Sequence, residues 1–510
     1  MTTQPVLIAS KGGIKRDGTR FEGNNYVDGR WCRFQRGKPR KIGGYQQVTD
    51  TIPEITRGMA SFSADGVQYL HLGHPNTLGQ YQVASGTLNA FNDRTPAAFN
   101  AGVDSLWQFS VFSDVSGGGD HLLVAHSAPN LENIDNSVTR PIYAGVVTDT
   151  AILDVSTVGM ADVSGGIVAV GVYLFTYSSD GLIEYSLPNN LSTPDVNTAN
   201  ITNQKIVFGI PIRGAGNGPA ALFWSLNSLI RATFRPAGSP DFNFDTLSTE
   251  ISVLSSQAIV EYDGIYYWPG VDRWQVFNGV VREVPNDINQ NFFFDNLNFT
   301  QRQKVFGFKV PRFGEIWWCY PRGSALECTH AIILNVREGS WYDTPLPDSN
   351  DTDQGRTAGV FADVYQKPFM VDNEVTANGR TIWQHETTKD KVRSGQISAV
   401  QSFFETHELS MLEEGQSAQS IRVARIEPDF VQVGDMTLTV RGRMNTKAPQ
   451  VTESPRTFVA EPTEGTDETI KLQSIQRLMS FKWESNTGAG DYEYGDTYAH
   501  IEPADGRVES

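Results

Sequence analysis

Cysteine is scarce in this chain. There are three in 510 residues, Cys32, Cys319 and Cys328, and none has metal-type spacing. Three cannot all pair within one chain, which excludes a disulfide-built scaffold and points to reduced thiols in a cytosolically assembled protein. Long apolar runs are also missing. The longest apolar-looking stretch, Gly165–Phe175, falls well short of the roughly 20 residues a membrane helix needs and reads as a strand. The opening MTTQPVLIAS has neither a basic stretch nor a long apolar core, so no signal peptide is expected. Charged residues make up only 19%, while glycine is plentiful at 47, a balance that favours a turn-rich all-β chain over a helical one.

Catalytic motifs are missing as well. There is no G-x-S-x-G, H-E-x-x-H or Walker A sequence. Gly214–Gly218 has the wrong spacing for a dinucleotide loop and reads as a loop between strands. His71 and His74 lie three apart with no third ligand in sight. The acidic run Asp348–Gly355 does not meet the register of a calcium loop and is expected to be solvated. Ser63–Gly66 and Ser178–Gly181 approach the Asp-box of propeller enzymes, but glycine directly follows aspartate, an ordinary hairpin signal. These absences lead to an expectation of no enzymatic activity, no cofactor and no metal.

What is present is a repeat. In EIWWCYPRGSALECTHAIILNVREGSWYDT, Glu315–Thr344, aromatic and β-branched bursts alternate with tight turns. Similar units begin near residues 67, 121, 172, 222, 265, 316 and 368, at intervals of 54, 51, 50, 43, 51 and 52. Four-stranded propeller blades recur at roughly 40–50 residues. Asn278-Gly279 and Asp180-Gly181 supply the positive φ that tight hairpins need. Each blade is covered on both faces by its neighbours, so Trp268, Trp274, Trp317, Trp318 and Trp341 are expected as wedges between blades. The pattern predicts an all-β chain: a six- or seven-bladed β-propeller over about 61–395, with the end copies able to share one blade closed by strands from both termini.

The chain ends differ from the middle. Residues 396–510 carry alternating segments at Met436–Val440, Leu478–Trp483 and Thr497–Ile501, read as a small β-sandwich-like domain to which the chain ends contribute. Between them Thr446–Thr469 is polar and reads as a mobile loop or arm. Thr300–Val305 reads as one short helix with Thr300 as its N-cap. Residues 1–60 form a glycine-rich basic segment. Within residues 1–45, ten Lys/Arg face three Asp/Glu, a balance of +7, while the remaining residues hold 31 against 55, a balance of −24. The cluster Arg30, Arg33, Arg36, Lys38, Arg40 and Lys41 is either a grip on an acidic neighbouring subunit or adaptor, or a solvated strand-flanking run.

Three stretches carry a resemblance. Arg16-Asp17-Gly18-Thr19, Tyr26–Trp31, Arg33-Phe34, Arg36-Gly37 and Pro39–Tyr45 come first, then Phe294–Asn298 with Thr300–Arg302 and Lys304–Phe306, then Asp491–Gly495 with His500-Ile501 and Asp505–Arg507. Together and in this order they resemble the tail nozzle proteins of short-tailed bacteriophages, also called distal tail tubular or packaged-DNA-stabilisation proteins. The resemblance implies a structural virion subunit, assembled in the host cytoplasm, in a closed hexameric ring below the tail adaptor. Its implied neighbours are tail fibres or spikes, the host outer membrane at the distal end, and double-stranded DNA passing without sequence-specific binding. The ring would hold the packaged genome until ejection. An acidic body agrees with a lumen that repels the DNA backbone. The other reading of the repeat is a propeller-type tail protein that binds or processes a receptor glycan.

Overall fold

The computed structural model describes residues 4–504, except 65, 85–86, 89–90, 97–98, 100, 103–104, 115–119, 129–137, 148–151, 155–159, 192–196, 213–217, 237–239, 348–354, 411–419 and 461–469. Expectations for the glycine loop at 214–217, the acidic run at 348–354 and the motif at 505–507 therefore lie outside the described residues.

Among the described residues seven successive sheets arise from the repeat, antiparallel apart from one parallel pairing of Tyr45–Ile52 with Lys391–Arg393 in the seventh. Blade 1 begins with Met59–Ala64 and Val67–Gly73, blade 2 with Leu106–Asp114 and Asp120–Ala128, and blade 3 with Gly166–Val170 and Tyr173–Tyr177. Blade 4 begins with Ile206–Pro211 and Ala220–Ser225, and blade 5 with Val260–Tyr262 and Ile265–Pro269. Blade 6 runs through Phe306–Val310, Glu315–Tyr320, His330–Asn335 and Ser340–Pro345, and blade 7 opens with Arg356–Ala362, Lys367–Asp372 and Arg380–His385. Each repeat start found in the sequence falls at the second strand of a blade. That strand has neighbours on both sides within its sheet and a blade against each face, so Glu315–Tyr320 is buried along its whole length.

The ring closes on itself. The innermost strands of all seven blades line one axial cavity of about 410 Å³. Separate apolar clusters fill the wedges between successive blades, with Trp107 and Tyr143 between blades 1 and 2, and Trp274, Trp318 and Trp341 between blades 5 and 6. Closure is made by strand exchange: Tyr45–Ile52, from the N-terminal segment, is the strand paired with Arg380–His385 in blade 7. The segment expected to end at residue 60 thus contributes a strand to the propeller. Such pairing joins two parts of the chain more than 300 residues apart, which blade-by-blade hydrogen bonding within the repeat could not do.

The two chain ends build the second unit together. Gln4–Ile8 pairs with Thr497–Pro503, Asp28–Arg30 with Ser402–Glu405, and Lys38–Lys41 meets Asp491–Tyr494. Met436–Arg443 alternates buried and half-buried residues along eight positions, as a strand covered on one face does. The described part of the polar stretch does not form a free arm: Val451–Thr452 and Arg456–Phe458 pair with Met436–Arg443. The apolar core of this unit is continuous with the wedge between blades 6 and 7, through Trp31, Trp317 and Trp383.

The short helix lies elsewhere than expected. Phe299–Lys304 is a 3-10 turn after Asn298, and the Thr300 hydroxyl donates to Asn298 Oδ1 at 2.8 Å rather than capping the backbone. Among the described residues the α-helix is Gln290–Asn296. Its cap comes from Asp17, whose carboxylate accepts from the amides of Asn291 and Phe292 at 2.8 and 2.7 Å. Asn289 occupies the N-cap position, but its side chain makes no cap bond, and the carboxylate that does the capping is 274 residues from Asn291 in sequence.

Candidate functional site

Parts of the stretches that carry the resemblance come together where the N-terminal segment is clamped between blade 6 and the C-terminal sheets: Asp17, the hairpin Cys32–Lys41 and the strand Asp491–Tyr494. The segment enters as a hairpin, Cys32–Gln35 with Lys38–Lys41, turning at Arg36 and Gly37, both at positive φ (56° and 70°). The backbone amides of that turn donate to the Glu338 carboxylate of blade 6, at 2.5 and 3.1 Å. Just before it, Trp31 is buried edge-on against Trp317, centroids 6.0 Å apart, and its amide donates to Thr344 Oγ1 at 2.8 Å.

Arg33 is the centre of the junction. It is 1% exposed. Its guanidinium donates to both oxygens of Glu315, at 2.8 and 3.2 Å, to Glu386 of blade 7, and lies 3.6 Å from the Phe313 ring centroid. Glu315, fully buried, also accepts from Tyr342 Oη at 2.6 Å and Trp317 Nε1 at 2.8 Å. Burial alone would lower the Arg33 pKa, but Glu315 and Glu386 hold it above the ordinary arginine value, so the cation stays charged inside the protein. One forked side chain thereby ties the N-terminal segment to two blades.

A second clamp repeats the design. Arg16 donates to Asp343 of blade 6 at 2.7 and 3.2 Å and to Asp28 at 2.6 Å. A third carboxylate, Glu405, is fully buried and takes Arg20, Arg441 at 2.6 Å and the Ser480 hydroxyl at 2.6 Å. Near the propeller axis Arg57 and Lys304 pair with Glu327, whose pKa burial would raise but these two cations hold below the usual carboxylate range.

The basic cluster expected at a subunit contact is only partly at the surface. Arg33 and Lys41 are buried: Lys41 Nζ donates to the Gly490 carbonyl at 2.6 Å, with Asp390 3.9 Å away. This corrects the expectation for those two, and the reason is that both faces of the hairpin are covered, one by the propeller and one by the C-terminal sheets. Arg36 is exposed and pairs with Glu493; Lys38 pairs with Asp496 at 2.5 Å; Arg40 contacts Gln35 Oε1 at 3.2 Å. Arg30 has no carboxylate partner among the described residues. The five tryptophans are all buried, at 0–3% exposure. Trp274 lies 4.6 Å from Trp318 and 4.9 Å from Trp341 between blades 5 and 6, whereas Trp317 faces the chain-end unit.

Sequence reading assigned no junction contact to Asp17, Glu315, Glu386 or Glu405. Glu315 and Glu405 carry one visible signal, a lone carboxylate beside an apolar run, as in Glu315 before Ile316-Trp317-Trp318, whereas Asp17 and Glu386 sit in polar stretches and carry none. His71 and His74 are both buried, and among the described residues no three His, Cys, Asp or Glu side chains converge as a metal site. What the junction consists of is buried forked ion pairs joining the N-terminal segment to blades 6 and 7.

No family model matches the chain, and no curated protein matches it. Among solved structures, it is similar to the crystal structure of Chaetomium thermophilum Raptor, with a TM-score of 0.41 and 7% identity. That similarity covers 69% of this chain and 30% of the Raptor chain.

Proposed function

We propose that the chain is a structural subunit of a short phage tail, a tail nozzle protein that surrounds the DNA exit path and acts without catalysis. The observation that supports this reading most is that parts of the three resembling stretches come together. Asp17 from the first holds the start of the helix that runs into the second, and Arg36 and Arg40 from the first meet Glu493 from the third. Residues scattered from 16 to 495 thus serve one junction, in which both chain ends are locked to a propeller. A subunit that bears load while DNA is held and released needs such locking. The acidic balance of residues 46–510 suits a wall past which DNA slides. In this reading copies assemble into a ring attached to the tail adaptor, with Arg30, Arg36, Lys38 and Arg40 as the members of the basic cluster that are not buried.

Native mass spectrometry of the purified chain, with electron microscopy of any oligomer, tests the proposal. The expected result is a closed homo-oligomeric ring with a through-channel, hexameric if the family resemblance holds. A chain that stays monomeric at micromolar concentration, alone and with other tail components, would refute it.

A further inference from the structure

The strand that closes the propeller, Tyr45–Ile52, begins beside a histidine. His385, the last residue of Arg380–His385, is the register partner of Tyr45. It is 3% exposed, and its ring stacks on Tyr45 with centroids 5.2 Å apart and planes 21° from parallel. Trp31, just before the chain-end hairpin, lies 6.2 Å from the same ring. Nε2 of His385 has no hydrogen-bond partner among the described residues. A protonated imidazole donates from both nitrogens, so a charged His385 would bury an unanswered N–H at the closing strand.

The charges around it do not answer that need. Arg356, on the first strand of blade 7, is 1% exposed, and its Nε and Nη2 also have no hydrogen-bond partner among the described residues. Its guanidinium carbon is 5.8 Å from the centroid of the Tyr45 ring, on which His385 packs. Glu386 is turned to Arg33. Lys391 and Arg393 lie over the Trp383 ring at 5.3 and 5.9 Å and add only positive charge. Cys319 of blade 6 is kept neutral by burial. Asp372, on the second strand of blade 7, accepts from Trp383 Nε1 at 2.6 Å and from the Thr381 amide at 3.2 Å. Burial raises its pKa, so its protonation steadies the fold as pH falls, opposite in sign to the histidine. Burial and Arg356 hold the His385 pKa well below the ordinary histidine value. The ring is therefore neutral while the strand is closed and takes a proton once the strand opens.

We propose that His385 is an acid-sensitive latch: mild acid frees the closing strand Tyr45–Ile52 from blade 7 while blades 3 to 5, which contain no histidine, stay closed. The proposal concerns the single chain and does not depend on ring formation. Each pH unit below about 6.5 favours the opened, protonated form tenfold, which makes about 30-fold between pH 7.5 and 5. Hydrogen–deuterium exchange of the full chain at these two pH values, corrected for the intrinsic pH dependence of amide exchange, tests it. His385→Phe keeps a ring on Tyr45 but cannot take a proton, and comparison with it cancels the contribution of Asp372. Acid should lower the protection of Tyr45–Ile52 about 30-fold more in the parent protein than in this variant. Protection of Tyr173–Tyr177 in blade 3 should change equally in both. If His385→Phe does not fold, His385→Gln, neutral at both pH values, gives the same comparison. Equal loss in parent and variant would overturn the proposal. So would a loss in the parent that is the same in Tyr45–Ile52 and Tyr173–Tyr177.

Discussion

Replacing Arg33 by methionine keeps most of the side-chain volume and removes the charge. It leaves Glu315 fully buried and Glu386 nearly so, facing each other without their shared cation. Breaking a buried pair by removing one partner typically costs about 3–5 kcal/mol. Chemistry sets a ceiling: an orphaned carboxylate can take up a proton, which from an ordinary value of about 4.3 costs about 3.7 kcal/mol at pH 7. The expected loss for Arg33→Met is therefore about 3–4 kcal/mol at pH 7. The variant carboxylate would have a folded-state pKa above its unfolded one. The folded variant then binds more protons than the unfolded chain, so its stability falls as pH rises. Lowering the pH from 7 to 5 should shrink the gap to the parent protein by up to about 1.4 kcal/mol per unit. The double variant Arg33→Met/Glu315→Gln should recover more than half of the loss. Urea unfolding followed by tryptophan fluorescence reports this junction directly, because Trp31 and Trp317 adjoin it. A loss below 1 kcal/mol, or a loss equal at both pH values and strictly additive with Glu315→Gln, would refute a charge-clamp role.

Two further outcomes are expected. Trp317→Ala should cost about 3–5 kcal/mol in the same unfolding assay, since the indole is buried and its N–H satisfies Glu315; a cost under 1 kcal/mol would show that the wedge is not core. Burial, aided by nearby cations, pushes the pKa of His71 and His330 down to about 3, and burial pushes His74 and His126 down to about 4. The stability they contribute is fully present above about pH 6.5 and is lost as pH falls toward 4, by up to about 1.4 kcal/mol per pH unit for each ring. Melting temperature measured from pH 7.5 to 5 should fall accordingly, and a flat profile would contradict neutral burial of these rings.

The repeat was legible in the residues themselves because strand, turn and two-faced burial are local properties. Tyr173–Tyr177 and Glu315–Tyr320 are buried at every position, and a strand so placed must be apolar and aromatic wherever it recurs. Glycines at Asp180-Gly181 and Asn278-Gly279 mark turns for the same local reason, positive φ at Gly181 and Gly279. Propeller class, the wedge tryptophans and the contrast between the middle and the ends follow from such signals. Three decisions belong to tertiary structure alone. Tyr45–Ile52 reads as any strand, and only ring closure makes it the partner of Arg380–His385. Arg33 reads as one member of a basic run, and only the covering of both hairpin faces turns it inward to Glu315, 282 residues away. Asp17 has no helix-capping signature, and folding alone brings it to the amides of Asn291 and Phe292. Local periodicity encodes how each segment buries its faces. Which distant charge answers a buried one depends on pairings across hundreds of residues, and no short stretch carries that information.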